Sequence, residues 1–284
     1  MSSIIDKFEN LDRRILLWAV VICVTLPYFI PVGLPIPYEP WVLDAIDFME
    51  NEVPDGATVL LDMSAALRVI TELEGGMQAT GWYFTQRGFK VVGTCFYPDG
   101  VFEWYNFIEP EFIKAGYVYG EDYVFLGYIP GESTGVDRLA KSIRDLISVD
   151  YEGNKIEDLP MMADIDKAED FAFVMAFGSG WTPGSYITNW YLPYGIPIIP
   201  FSHMYGLSGY LSSWMAGFIP GTICGVRGSG EWANYLGLPS TAVTMLDSVG
   251  LGHAIMILFI ILGNIAMLIE KYGGKDTESI GGSP

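Results

Sequence analysis

The stretch GHAIMILFIILGNIAMLI, from Gly252 to Ile269, determines how the rest of this chain is organised. A bilayer core of about 30 Å requires about 20 mostly apolar residues in a helix. No side chain in this stretch carries a fixed charge, and its polar side chains are those of His253 and Asn264. The sequence therefore predicts a membrane-spanning helix.

This helix is predicted to begin upstream of the apolar stretch. Thr241 to Val249 contains no glycine or proline and follows Pro239-Ser240, where Ser240 is a typical N-cap. We expect one helix over 241–271 and a flexible cytoplasmic tail over 272–284.

Small and polar residues within the span indicate helix association. Polar side chains hydrogen-bond across membrane helices, and small residues allow close backbone approach. Gly263, Asn264 and Ala266 are the oligomerisation residues that this pattern predicts. The alternative for Asn264 is that its side chain extends towards the nearby interface.

A second apolar stretch follows a short polar tail, residues 1–14. Residues 15–36 are apolar apart from Thr25 and end in a proline-rich segment. A cleaved signal peptide is the alternative, but no small-x-small cleavage pattern follows. We interpret 15–36 as an uncleaved transmembrane anchor that is helical at first and kinked or extended after Pro27.

The charges that flank the two stretches predict the topology. Arg13 and Arg14 precede the first stretch, and Lys271 and Lys275 follow the second. Basic residues favour the cytoplasmic side. The sequence thus predicts a two-pass protein of the cell membrane with both termini cytoplasmic and residues 38–240 as one extracytoplasmic domain.

Composition excludes several classes of function. The chain carries a net charge of -19, and residues 38–250 hold 28 acids against 10 bases, so we expect no nucleic-acid partner. The acidity would attract cations or a basic partner, or it reflects an acidic proteome or a salty medium. Three cysteines provide no disulfide framework, and two histidines exclude a histidine-rich metal site, so no metal and no cofactor is predicted.

The middle of the chain alternates between short apolar runs and helical patterns. The predicted helices include Ser64–Leu73 and Met77–Gln86, on either side of Gly75-Gly76, and Val136–Ile147. Such alternation predicts βαβ units and an α/β fold: a doubly wound, mostly parallel five-stranded sheet, a Rossmann- or flavodoxin-like three-layer sandwich between two transmembrane helices. The five predicted strands are Ala57–Leu61, Phe89–Cys95, Asp122–Tyr128, Phe171–Phe177 and Ile196–Phe201.

Ligands of open α/β sheets bind at the carboxyl ends of the strands. The polar residues that follow the predicted strands are therefore the candidate ligand-binding residues. They are Asp62, Ser64, Asp99, Ser179, Thr182 and His203.

Two specific chemistries can be considered for these residues. Ser179 with His203 would suit acyl transfer, but G-x-S-x-G is absent because Phe177 stands where its first glycine should be. The segment GSGWTPG precedes a predicted helix and could bind an anion, yet it lacks a Walker lysine. Neither motif assigns a catalytic residue.

Residues 204–221 contain no charge and lie in a region rich in tryptophan and tyrosine. Aromatic residues favour both protein interfaces and membrane surfaces. We expect this segment to be buried or to pack on the membrane or on a neighbouring subunit.

The plan of the chain resembles that of uncharacterised prokaryotic two-span membrane proteins with an extracytoplasmic Rossmann-like domain. The resemblance includes a C-terminal helix with FIILGN, here Phe259 to Asn264. It implies the fold and the two anchors, and no catalytic or binding residue.

The leading functional expectation is a non-enzymatic assembly subunit of a homo- or hetero-oligomeric membrane complex, with the bilayer and other membrane proteins as partners. The alternative is a tethered ligand-binding or sensor domain that uses the strand ends. A membrane-bound hydrolase is the second alternative.

Overall fold

The computed structural model describes residues 12–30, 32–178 and 180–273, which form two compact units. The larger unit is Ile36–Val243, and the smaller one combines the residues up to Pro35 with those from Thr244 onwards.

The larger unit is an α/β domain built on a six-stranded, entirely parallel sheet. The strand order is β3-β2-β1-β4-β5-β6, the order of a doubly wound Rossmann sheet. The strands are β1 (Thr58–Ser64), β2 (Lys90–Cys95), β3 (Tyr123–Tyr128), β4 (Phe173–Gly178), β5 (Ile198–Ser202) and β6 (Ile223–Cys224).

Helices cover both faces of this sheet because successive side chains of each strand point to opposite sides. In β1, Val59, Leu61 and Met63 belong to one apolar core, and Leu60 belongs to the other. The first core receives helices Pro40–Asn51, Ile70–Gln86, Glu109–Ala115 and Gly225–Tyr235. The second core receives Glu132–Lys141, Ile143–Leu146, Thr182–Tyr186 and Leu207–Met215.

The predicted α/β class with a parallel sheet is confirmed, and the predicted number of five strands is wrong. The additional strand, β6, is two residues long and lies in a glycine-rich region, so no periodic pattern identifies it. Its pairing with the edge of β5, Phe201 opposite Ile223, is a tertiary contact.

Two predicted helix boundaries also differ from the structure. Gly75-Gly76 was expected to interrupt a helix but lies within Ile70–Gln86. A Cβ at residue 75 would press against Ala242, and one at residue 76 would collide with Phe201, so close packing explains both glycines. The helix expected over 136–147 is divided at Ser142, whose hydroxyl accepts the Asp145 N–H and begins a new turn.

The smaller unit contains most of the one described helix that is long and apolar enough to span a membrane, Thr241–Ile269, whose first three residues belong to the larger unit. This helix continues to Gly273 and starts at the predicted cap, where Ser240 accepts the Val243 N–H at 3.2 Å. The prediction of a single helix through this region is confirmed.

The N-terminal segment forms a shorter helix than a full span requires. Helix Arg13–Thr25 has 13 residues and passes into a 3₁₀ turn, Leu26–Tyr28. This agrees with the expected change of structure near Pro27, but the helix does not extend over 15–36. The cause is Pro27 itself, which cannot donate a helical hydrogen bond, together with the prolines that follow.

Candidate switch-point site

The topology places a switch point between β1 and β4. The chain proceeds from β1 outwards to β2 and β3, and then returns to the centre of the sheet at β4. In doubly wound sheets the connections on the two sides of such a point leave in opposite directions, and the carboxyl ends of the two strands are where a ligand crevice is expected. This expected site is called the crevice below. Here Ser64 at the end of β1 pairs with Gly178 at the end of β4.

The end of β1 provides two buried polar side chains, Asp62 and Ser64. The Ser64 hydroxyl donates to Asp62 Oδ1 at 2.5 Å and accepts the Phe96 N–H at 2.7 Å. Ser64 therefore fixes one carboxyl oxygen of Asp62. The other oxygen, Oδ2, is buried without a hydrogen-bond partner.

Glu103 is brought to this crevice by the helix Asp99–Glu103, which follows β2. Gly100 allows the helix to lie against the end of β1, because a Cβ there would collide with the Met63 carbonyl oxygen. Glu103 is fully buried, and neither carboxyl oxygen makes a well-formed hydrogen bond to a described residue, although the Ala65 backbone lies close enough to lower its pKa.

The segment after β4 contributes two further hydroxyl groups. Thr182 and Tyr186 lie on the helix Thr182–Tyr186, and both are fully buried. Neither Thr182 Oγ1 nor the Tyr186 hydroxyl has a hydrogen-bond partner. Burial of a hydroxyl or carboxyl without a partner costs about 1–3 kcal/mol. The stability of the fold therefore does not explain why these groups are buried without partners.

A π-helical turn follows each of the two crevice helices. Trp104–Ile108 begins directly after Glu103, and Ile187–Tyr191 begins directly after Tyr186. Such turns are rare and occur frequently at functional sites, where they adjust the direction of a side chain. A π-helical turn therefore directly follows each of two residues with unpartnered groups, Glu103 and Tyr186.

Burial makes both carboxyl groups weak acids. The pKa of Asp62 lies well above its ordinary value because the group is desolvated, and the Ser64 hydrogen bond opposes this only in part. Burial likewise raises the pKa of Glu103 to about 9, with a contribution from the charge of Asp62 and a partly opposing one from the Ala65 backbone. At neutral pH Glu103 is therefore expected to be neutral.

Aromatic rings contact one another beside the ends of β2 and β4. Trp181 lies between Phe96 and Tyr97, with ring centroids 6.3 and 6.1 Å away. Phe96 also contacts the Tyr186 ring edge-to-face at 6.3 Å. Phe96 and Tyr97 follow β2, and Trp181 follows β4, so the rings come from both sides of the crevice.

The six residues predicted from the strand ends have different environments. Asp62, Ser64 and Thr182 belong, with Glu103 and Tyr186, to the group of buried polar side chains described above, the crevice cluster. Asp99 is partly exposed and its carboxylate accepts the Leu67 N–H at 3.0 Å, so it holds the loop after β1. Ser179 lies outside the described residues.

His203 lies half-buried after β5, beside Ser202. The Ser202 hydroxyl donates to the Gly178 carbonyl oxygen at 2.6 Å and lies 3.1 Å from His203 Nδ1. Because the Ser202 hydroxyl donates its proton to the Gly178 carbonyl, it can only accept a hydrogen bond from the His203 imidazole. This pair therefore lacks the arrangement of a nucleophile and its general base.

Sequence reasoning missed Glu103 and Tyr186. The available signal for Glu103 is a single acid within the otherwise apolar, helical run VFEWYNFI, Val101 to Ile108. Tyr186 carries no comparable signal, since tyrosine is common throughout this chain.

The residues proposed for helix association are arranged as follows. The Asn264 side-chain amide donates to the Ile260 carbonyl of its own helix at 2.7 Å. A Cβ at Gly263 would meet no atom within 4 Å, and Ala266 is buried.

Among the described residues, no group of three or more His, Cys, Asp or Glu side chains could hold a metal ion. Comparison with known proteins finds no matching protein family, no matching curated protein and no matching solved structure.

Proposed function

We propose that the α/β domain binds a small ligand in the switch-point crevice, as a ligand-binding or sensor domain that is tethered to a membrane. The observation that carries this proposal is the set of unpartnered polar groups at one edge of the sheet. Its members are Asp62 Oδ2, both carboxyl oxygens of Glu103, Thr182 Oγ1 and the Tyr186 hydroxyl.

A ligand would supply the hydrogen bonds that these groups lack. Buried polar side chains almost always have partners, and an unsatisfied group calls for a specific explanation. The position supports the same conclusion, since switch points are where doubly wound sheets bind their ligands. The two adjacent π-helical turns are a further, independent sign of a functional site.

The hydrolase alternative receives less support. Each described serine at these strand ends has its hydroxyl proton engaged: Ser64 donates to Asp62, and Ser202 donates to Gly178. Burial raises the pKa of Cys95, which disfavours the reactive thiolate.

In this proposal, the helix Thr241–Ile269 spans the membrane and the N-terminal segment forms a second, shorter anchor. Arg13, Arg14 and Lys271 then lie on the cytoplasmic side, and the α/β domain is extracytoplasmic. Labelling of single cysteines in intact cells tests this topology. A cysteine at exposed Asp158 should react with an impermeant maleimide, and failure to react in intact cells would reverse the orientation.

Assembly with other subunits is the second candidate function. The charge-free segment 204–221 exposes large apolar side chains: Tyr205 is 89% and Met215 73% exposed. Asn264 and Gly263 would contribute through the membrane helix. Native mass spectrometry of Asn264→Leu tests this role, since a shift from oligomer to monomer is expected. An unchanged mass would remove Asn264 from the assembly.

The ligand-site proposal is tested on the full-length protein extracted in mild detergent. Native mass spectrometry and analysis of the denatured extract should reveal a retained small molecule. Thr182→Val and Tyr186→Phe remove only the unpartnered hydroxyl groups, so both are expected to lose the retained molecule and to keep the fold. Thr188→Val, at an exposed hydroxyl that bonds its own helix, is the matched control. Equal retention in all variants would contradict the proposal.

A further inference from the structure

The crevice contains acids and hydroxyl groups but no base. In the part of the chain that the structure describes, no lysine, arginine or histidine forms an ion pair or a hydrogen bond with Asp62 or Glu103. Arg68, which follows β1 closely, has an exposed side chain. Two buried carboxyl groups are therefore brought together without a compensating positive charge.

This composition disfavours anionic ligands. A dinucleotide-binding sheet places a glycine-rich turn and a helix N-terminus after β1 to hold the pyrophosphate. Here β1 ends in Ser64 and continues into Ala65-Ala66-Leu67, without a glycine until Gly75. A phosphate or carboxylate in the crevice would also face Asp62 and Glu103, which would raise the cost of its charge.

The aromatic rings indicate the complementary chemistry. An organic cation is attracted to the faces of tryptophan, tyrosine and phenylalanine, and aromatic groups with nearby acids bind ammonium ligands in many proteins. Phe96, Tyr97, Trp181 and Tyr186 lie around the same strand ends as the two acids. A bare metal ion is a poorer match, because no set of three or more metal-binding side chains occurs among the described residues.

We infer that the ligand is a small organic cation whose N–H or N-methyl groups lie between the aromatic rings of the crevice and the carboxyl groups of Asp62 and Glu103. This inference rests on the proposed function. Thr182 and Tyr186 accept hydrogen bonds from the remaining N–H groups or donate to a hydroxyl of the ligand.

Binding would be coupled to proton release. The titratable groups that act on Glu103 are Asp62 on β1 and Asp99 on its own helix, and Cys95 lies near both Asp62 and Glu103. A bound cation stabilises the carboxylate form, so a carboxyl O–H loses its proton to solvent as the cation enters. The affinity is then expected to rise by about tenfold for each pH unit and each proton released, until the pH reaches the pKa of about 9 of Glu103.

The test uses the full-length protein in detergent and isothermal titration calorimetry. The cationic probes are choline, putrescine and methylguanidinium; 3,3-dimethylbutan-1-ol is the neutral analogue of choline. Acetate, inorganic phosphate, Mg²⁺ and Ca²⁺ complete the panel. We expect at least one organic cation to bind with a Kd below about 10 mM, and the neutral analogue to bind about tenfold more weakly than choline or not at all.

Isosteric variants locate the binding. Asp62→Asn and Glu103→Gln are each expected to weaken cation binding by about tenfold or more. Asp158→Asn and Glu121→Gln, at exposed carboxylates, are the matched controls and should leave the affinity unchanged. The heat of binding should also differ between phosphate and Tris buffers at one pH, because the released proton is taken up by the buffer.

The outcomes separate this inference from the proposal on which it rests. Binding of acetate, phosphate or the neutral alcohol that Asp62→Asn or Thr182→Val weakens would leave a ligand site in place and overturn the cation inference. Asp62-dependent binding of Mg²⁺ or Ca²⁺ without an organic cation would overturn it too. If no probe binds and the extract holds no retained molecule, both proposals fail.

Discussion

Two of the regions in which the larger unit buries carboxyl groups have opposite environments. Glu231, on the helix Gly225–Tyr235, is fully buried but accepts the Glu39 N–H at 3.0 Å and the Arg227 Nε–H at 2.8 Å. Asp62 and Glu103 are equally buried at the strand ends, yet three of their four carboxyl oxygens have no partner.

This difference separates a structural acid from a candidate functional one. Burial raises the pKa of Glu231, but the Glu39 backbone and Arg227 oppose the rise and keep a charged form accessible. The pKa of Glu103 rises to about 9 because burial and the nearby acids Asp62 and Asp99 outweigh the opposing Ala65 backbone, and no basic side chain among the described residues pairs with it. Burial alone is thus a weak sign of function, and burial without a partner is a strong one.

The largest expected effect concerns the glycine that positions Glu103. Gly100→Ala places a Cβ against the Met63 backbone, which no side-chain rotation can relieve. We expect a loss of about 4 kcal/mol in the free energy of unfolding. Urea unfolding of the full chain in detergent, followed by tryptophan fluorescence, measures this loss.

Gly184→Ala is the matched control for that substitution. A Cβ at residue 184 would meet no atom within 4 Å, and the position is helical, so the change should be neutral or slightly stabilising. Equal stability of the Gly100 and Gly184 variants would mean that Glu103 is not held at the end of β1 as described.

Glu103→Gln should stabilise the ligand-free protein at neutral pH. The pKa of Glu103 is raised from 4.5 to about 9, so its neutral form is favoured in the folded state. Its contribution to stability is fully present below about pH 4.5 and is lost as the pH rises to about 9. At pH 7 the loss amounts to about 3 kcal/mol, which the uncharged glutamine avoids.

A pH series of urea unfolding measures this effect. Between pH 5 and 9, the wild-type protein should lose stability relative to Glu103→Gln, and the difference should grow with pH. Parallel curves for the two proteins would show that Glu103 is ionised in the folded state, which would contradict its unpartnered burial.

Replacing the partnered acid, Glu231, with glutamine should instead lower the free energy of unfolding. Glu231→Gln keeps the size of the side chain but removes the charge that Arg227 and the Glu39 N–H contact. Hydrogen bonds to charged groups contribute about 1.5–3 kcal/mol, so we expect a loss of about 2 kcal/mol at pH 7. The measurement is the same urea series, and a gain in stability at this position would remove the distinction between the two regions.

The sequence predicts the architecture because local signals repeat along it. Each of the five longer strands is a short apolar run, and parallel strands buried on both faces produce such runs. Once the sheet is predicted, the rule for strand ends selects Asp62, Ser64 and Thr182, which do lie in the crevice cluster.

The remaining features depend on tertiary contacts that no local pattern encodes. Glu103 reaches the crevice because Gly100 packs on β1, and Tyr186 reaches it through the connection after β4. From the sequence, Gly76 predicts a break in the helix, and only the structure shows that Phe201 packs against it. The sequence also does not show that Asp62 Oδ2 lacks a hydrogen-bond partner, because this depends on which basic side chains the fold places near it.

The smaller unit extends the comparison to one further buried acid, and it provides the smallest expected effect. Asp247 is 3% exposed, and its two oxygens accept the N–H groups of Gly33 and Leu34 at 2.9 and 3.0 Å. As a fully partnered acid it should behave like Glu231. Asp247→Asn keeps one acceptor oxygen and replaces the other with a donor, so about 1 kcal/mol should be lost locally.

Hydrogen exchange of the two amides detects this local loss without unfolding the protein. The amides of Gly33 and Leu34 should exchange roughly fivefold to tenfold faster in Asp247→Asn, because protection falls with the local free energy of opening. Ser248→Ala is the matched control, since Ser248 donates to the Thr244 carbonyl of its own helix and should leave both amides protected. Unchanged exchange in the Asp247 variant would show that solvent replaces the carboxylate without cost, and that a partner at a buried acid is not by itself the mark of a structural role.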